Sequence, residues 1–171
     1  MSLNSSKFLS KEEDARLLSL LHRHENRDTL MLLLLRRYGM RAGELLSLRV
    51  KDLNSATKTM MVPGSKGSNP REFPLSDELW ARLSAQARHF ISDTDRVFLI
   101  SYIRLHQIWG EYRPVKKHLH SLRHTLGIEM YQKTKDIRLV QKILGHRSIS
   151  NTMIYLDFAY TQDEFRKALV G

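Results

Sequence analysis

The sequence contains no cysteine. That excludes a disulfide framework and any thiolate metal site, and it suits a reducing compartment, so a cytoplasmic location is expected. Long apolar runs are missing too. The longest, Leu30 to Leu35, is far shorter than the roughly 20 residues a membrane span needs, so it is assigned to the core and no membrane partner is expected. At the N-terminus no charged stretch precedes an apolar one, so residues 1–8 read as a disordered lead-in or expression scar and not as a signal peptide. Nor is there a nucleotide-binding loop, because Gly64-x-x-Gly67 lacks both the spacing and the following Lys-Ser/Thr of a P-loop. The acidic residues are scattered. The only tight groups, Glu12-Glu13-Asp14 and Asp93-x-Asp95, sit where a helix start and a loop explain them.

Acid is also outweighed overall. Lys and Arg number 28 against 18 Asp and Glu, for a formal charge of +10, and the resulting field attracts polyanions. Nucleic acid is the leading partner class, although a solvated surface with excess base would give the same count. A length of 171 residues at 42% hydrophobic content supports one full-sized core, hence a single domain over residues 9–171.

Local pattern places the elements. Ser10-Lys11-Glu12-Glu13 fits a capping box, and the Leu17, Leu18, Leu20, Leu21 spacing after it is helical, so a first helix begins near residue 11. Asp28 to Tyr38 is apolar almost all round, as in a helix buried at a domain centre, and Gly39 stops it. A short helical pattern from Glu44 to Leu48 follows directly. Thr57 to Val62 and Arg71 to Leu75 are strand-like and flank a stretch crowded with turn formers, which predicts a β-hairpin with Lys66 near its tip. Ser76-Asp77 caps the next helix, and further helices are expected near 102–112, 121–133, 136–144 and 162–169, with a Ser-capped helix after a tight turn at Gly145. The fold class is therefore mainly α with a small antiparallel β-sheet.

His120-Ser121-Leu122-Arg123-His124 sets a histidine and an arginine three residues apart near a helix start, where both can face one site. Leu144-Gly145-His146 follows, and Tyr155 comes nine residues after His146. This ordered run resembles the tyrosine recombinase, or phage integrase, family, whose catalytic domains carry H-x-L-R-H, then L-G-H, then a tyrosine nine residues on. Upstream, Tyr38-Gly39-Met40-Arg41-Ala42-Gly43-Glu44 is similar to the segment bearing the family's first catalytic arginine and the glutamate three residues after it. Ser65-Lys66-Gly67 falls in a hairpin like the one that carries its lysine, followed by Pro70 and Arg71 where a more basic run is usual. The resemblance thus extends from about Leu9 onward.

What it implies suits the residue types. Arg41 and Arg123 would clamp a scissile phosphate and stabilise the charge gathered as Tyr155 attacks, arginine being suited by its planar, permanently charged fork. Lys66 would protonate the departing 5′ oxygen, His120 would accept or return the tyrosine proton, and His146 would donate to a non-bridging oxygen. Glu44 would orient its neighbours. A 3′-phosphotyrosine keeps the energy of the cleaved bond, so no ATP, metal or other cofactor is implied. The implied partner is double-stranded DNA, on which the chain would assemble as a homo-oligomer, a tetramer, with a monomer as the isolated form. The tail, residues 157–171, reads as an amphipathic helix that folds back in cis or docks on a neighbour in trans. The family's N-terminal DNA-clamping domain is expected to be absent.

Other readings stay open at this point. His120 and His124, four apart, could hold zinc with His146. Asp136 to Leu156 could be a DNA-binding helix-turn-helix in which Tyr155 is core, Gly64-x-x-Gly67 could be an RNA clamp, and a type IB topoisomerase would share the nucleophile.

Overall fold

The structure is a computed structural model that describes residues 3–65, 67–158, 160 and 162–170, with only the backbone of Gln162 and Asp163. Eight helices are described: α1 (Lys11–Arg23), α2 (Arg27–Tyr38), α3 (Ala42–Ser47), α4 (Asp77–Ala87), α5 (Tyr102–Tyr112), α6 (Ser121–Thr134), α7 (Ile137–Leu144) and α8 (Gln162–Val170). A three-stranded antiparallel sheet, β1 (Leu53–Asn54), β2 (Thr59–Val62) and β3 (Arg71–Pro74), lies between α3 and α4 in the chain. None of these helices is long and apolar enough to cross a membrane.

Side-chain oxygens start several of these helices. Ser10 and Glu13 form the expected reciprocal capping box on α1, while Ser76, Ser101 and Asp136 each accept backbone N–H groups at the starts of α4, α5 and α7. α2 buries every residue from Thr29 to Arg36, the result of an apolar face that runs all the way round. The charge buried there is neutralised at once. Arg36 forks onto both carboxylate oxygens of Asp14 at 2.6 Å and reaches Glu129 at 2.7 Å, pinning α1 and α6 to α2.

Two apolar clusters result. The larger surrounds α2 with side chains from α1, α4, α5 and β2, and the smaller joins Leu126, Ile128 and Tyr131 of α6 to Val140 and Leu144 of α7 and to Tyr155. α6 serves both, giving Leu122 to the first and Leu126 to the second. In the sheet, Val62 faces Arg71 and Met60 faces Phe73.

Three expectations change. The disordered lead-in gives way, from Leu3 on, to an ordered segment, because its apolar residues find partners: Leu3 is buried in the smaller cluster and Phe8 meets Phe158 edge-on at 5.1 Å. A short strand, β1, pairs Leu53 with Met60 where no strand was read. The Ser-capped helix after Gly145 is instead two 3₁₀ segments, Ile149–Asn151 and Met153–Phe158, which removes the second helix of a helix-turn-helix.

Gly39 ends α2 at φ +57°, where a Cβ would lie 2.7 Å from Leu144 Cδ2 and 2.9 Å from Leu126 Cδ2. Gly39→Ala is expected to destabilise the fold by about 1–3 kcal/mol through left-handed strain and overpacking together. A urea midpoint equal to wild type would contradict this.

Candidate active site

Arg123 sits on the first turn of α6 with 1% of its residue exposed. Nη1 donates to the carbonyl of Gly39 just past α2, and Nη2 donates to Leu144 O at the end of α7 at 2.5 Å. Both glycine-terminated helices therefore present their last carbonyls to one guanidinium, a favourable place for a cation. Burial pushes the Arg123 pKa down first and the charge of Arg41 pushes it further, against Glu44, to about 9, so the group stays charged at neutral pH.

Arg41 immediately precedes α3. Its backbone N donates to Glu44 Oε2 at 2.9 Å and its Nη1 to Glu44 Oε1 at 3.3 Å, so the side chain is aimed while a quarter of it stays open. Glu44 is fully buried, 4.0 Å from Arg123 Nη1, and takes two hydrogen bonds from Arg71. Burial by itself would raise its pKa, but the hydrogen bonds and charge of Arg71, with help from Ser68 and the Arg41 backbone, hold it at about 2.

The histidines are neutral for a shared reason. His146 is 7% exposed and its Nδ1 lies 2.9 Å from the Thr152 hydroxyl. Burial, then Arg123 and Arg41, push its pKa to about 3. His120 and His124 are lowered to about 4, each first by the atoms packed round the ring; after that, Arg123 and Arg41 act on His120, and His120 and Arg123 act on His124. His120 nevertheless keeps an open face to solvent. The two rings meet edge-on at 4.7 Å. Among the described residues no group of three or more His, Asp or Glu side chains is arranged to hold a metal ion.

Tyr155 is 1% exposed. Its ring lies over Gly127 of α6, where a Cβ would come within 2.7 and 2.8 Å of Cε1 and Cε2. Its hydroxyl is 3.1 Å from His124 Nδ1. Burial raises the phenol to about 12 despite the opposing charges of Arg123 and Arg41. A cleft of about 490 Å³ opens over Arg41 and His120, walled by Ser65, Tyr102, His106 and His118.

Of the residues singled out in the sequence, Arg41, Glu44, His120, Arg123, His146 and Tyr155 thus share one region, while Lys66 lies outside the described residues. Two participants were missed. His124, not His120, bonds the Tyr155 hydroxyl, and two histidines one helical turn apart give no sequence basis for choosing between them. Arg71 is 8% exposed and bonded to Glu44; an arginine opening a strand opposite Val62 was the available signal.

A sequence model described as the phage integrase family matches residues 7–162. The chain belongs to the phage integrase family. It is 30% identical over 161 residues to tyrosine recombinase XerA of Pyrococcus furiosus, covering 87% of this chain and 56% of that one. It is 33% identical over 149 residues to tyrosine recombinase XerC of Azotobacter vinelandii, covering 78% and 50%. The chain therefore spans about half the length of these relatives. Among solved structures, the catalytic domain of bacteriophage HP1 integrase superposes at TM-score 0.67 with 25% identity, over 95% of this chain and 94% of that one. The crystal structure of XerA recombinase superposes at 0.73 with 24% identity, over 95% and 64%.

A pH dependence follows from the buried groups. His146 titrates near 6.5 unfolded and near 3 folded, so between those values the unfolded chain binds more protons and stability falls with falling pH, by up to about 1.4 kcal/mol per unit for this residue. Glu44 adds its loss only below its ordinary 4.5, as the pH approaches about 2. His120 and His124, lowered to about 4, lose stability over the same range, so His146→Gln is expected to reduce, not abolish, the pH dependence of the melting temperature above pH 4.5. An unchanged slope would count against a neutral, buried His146.

Proposed function

We propose that this chain is the catalytic domain of a site-specific DNA recombinase or integrase that breaks and rejoins double-stranded DNA through Tyr155. The observation that carries the reading is the convergence of Arg41 and Arg123 on one carboxylate, Glu44, beside His120, His146 and Tyr155. Such a fixed cationic pair is what a transferring phosphoryl group needs in place of reorganising water.

In the proposed reaction the scissile phosphate enters the cleft over Arg41 and His120. Arg41 and the N–H groups of Arg123 not engaged by carbonyls bind its non-bridging oxygens, and His146 donates from Nε2, since Nδ1 is occupied by Thr152. The Tyr155 oxygen forms a bond to phosphorus as the bond to the 5′ oxygen breaks. The phenolic proton passes to His120, and Lys66 supplies one to the departing 5′ oxygen, which leaves as a hydroxyl. A 5′ hydroxyl from another strand reverses these steps, so bond energy is conserved throughout. In the described conformation the phenol is turned to His124 and buried, so DNA has to draw Tyr155 out of its notch before attack.

The near full-length match to the HP1 catalytic domain supports an integrase of a phage or mobile element. One structure among the neighbours is described as XerH site-specific recombinase bound to a palindromic difH substrate in a post-cleavage complex, which supports duplex DNA as the substrate here. Assembly as a homo-oligomer on DNA, with α8 docked on a neighbouring copy, is supported by the exposure of its Phe165, Leu169 and Val170.

Incubated in EDTA with a nicked duplex, the protein is expected to form an SDS-stable adduct that Tyr155→Phe does not form. An adduct that survives in Tyr155→Phe would exclude this nucleophile. Binding to duplex is expected to weaken steeply as salt rises, because phosphate neutralisation supplies most of the affinity; a flat dependence on ionic strength would contradict a phosphate-clamping surface.

A further inference from the structure

Among the described residues, Arg71 is the one buried cation beside the site to which the proposed reaction gives no task. It opens β3, is 8% exposed, and its guanidinium lies over the Phe73 ring, 5.7 Å from the centroid. Nη2 donates to Glu44 Oε2 at 2.9 Å and Nη1 to Glu44 Oε1 at 3.2 Å, a forked pairing. Nη1 also reaches Ser68 Oγ at 3.2 Å and Asn69 O at 3.4 Å, and Nε donates to Ile143 O at 2.8 Å. These partners belong to three stretches far apart in sequence: the α3 turn that begins at Arg41, the β2–β3 connection, and the last turn of α7.

Backbone contacts reinforce the junction. Asn69 N donates to Gly145 O at 2.8 Å, and Ser68 pairs with His146 as an isolated antiparallel bridge. Gly145 has φ +68°, and a Cβ there would lie 2.8 Å from Asn69 O, 2.9 Å from Arg71 Nη1 and 3.0 Å from Ser68 Oγ. The glycine of Leu144-Gly145-His146 is thus required both by backbone hand and by the space Arg71 fills.

We propose that Arg71 is a positioning residue of the cleavage site, locking the β2–β3 connection and the Gly145–His146 turn onto Glu44 and thereby fixing Arg41 and His146 against the scissile phosphate. This rests on the reading of the site as a DNA-cleaving one. Stability alone does not call for this buried pair, since replacing both members by well-packed apolar side chains is often neutral or better, whereas removing one member leaves a buried charge poorly compensated. Only a planar fork with a further donor at Nε spans all three stretches; a lysine ammonium reaches one or two. The charge matters as well. Glu44 is faced by Arg41, Arg71, Arg123 and the hydroxyls of Ser65 and Ser68, and among the three arginines Arg71 makes the shortest side-chain contact with it.

The test compares wild type, Arg71→Met, Arg71→Lys, Glu44→Gln and the Arg71→Met/Glu44→Gln double variant, each checked for cooperative melting and DNA binding, by the rate of adduct formation on nicked duplex. Arg71→Met is expected to bind DNA with the wild-type salt dependence and to react on the order of 100-fold more slowly, the cost of misplaced reacting groups. Its rate is expected to fall further from about pH 8 to about pH 5, where wild type is level, because Glu44 without Arg71 takes up a proton and releases Arg41. Arg71→Lys should restore the level pH profile, since the charge is back, but not the rate, since the fork is not. The double variant should be no slower than the slower single.

Wild-type rates in Arg71→Lys overturn the proposal, even where Arg71→Met does not fold, and so does a slow Arg71→Met with an unaltered pH profile and strictly additive losses. A wild type that gives no adduct overturns the reading of the site and this inference with it; a wild-type adduct followed by either of the other results overturns the inference alone.

Discussion

A guanidinium with 1% of its residue exposed has to be held by partners that cannot move away, and Arg123 takes them from backbone: the carbonyls of Gly39 and Leu144. Much of the molecule follows from that requirement. α2 and α7 must both end beside α6, both must end on a left-handed glycine so that their last carbonyls are free, and Leu126 and Leu144 must pack closely enough to leave no room at Gly39 for a methyl group. Desolvating a charge is expensive; that of Arg36 is offset by two carboxylates, whereas Arg123 is held by backbone carbonyls and keeps its charge beside the cleft.

The second arginine is fixed differently. Arg41 stays partly open and is aimed by Glu44, which is itself kept ionised in a fully buried position by Arg71. Burial, reinforced by the same positive field, keeps His120, His124 and His146 neutral, as hydrogen-bond donors and acceptors. That field also pulls against the burial that raises the Tyr155 phenol to about 12. As folded, the electrostatics favour an anion in the cleft and a protonated tyrosine beneath it. Both conditions suit a site that waits for a phosphate before it reacts.

Local signals in the sequence were strong where chemistry is local. Capping residues marked the starts of α1 and α4, and Gly39 and Gly145 marked helix ends. The all-round apolar run placed α2 at the centre. What could not be read depends on tertiary contact. The stretch around Tyr155 has a helical pattern but winds as 3₁₀ turns, its aromatic ring being fixed over Gly127 on another helix. Residues 3–8 looked like a loose leader until Leu3 and Phe8 found apolar partners far along the chain. The spaced motif named six of the clustered residues, yet Arg71 bridges to Glu44 across 27 positions and His124 differs from His120 only in which neighbour it meets. The burial of Tyr155 matches what a pure binding module would show; the surrounding charges do not.

In the proposed reaction a tyrosine phenol, not a hydroxide or a metal-bound water, becomes bonded to the DNA, and at a 3′ phosphate. The most direct measurement is tandem mass spectrometry of the adduct after exhaustive nuclease and protease digestion. A nucleotide joined through its 3′ phosphate to the peptide that contains Tyr155 is expected, with a free 5′ hydroxyl on the released strand. A nucleotide on Tyr131 or Tyr160, or one joined through a 5′ phosphate, would contradict it.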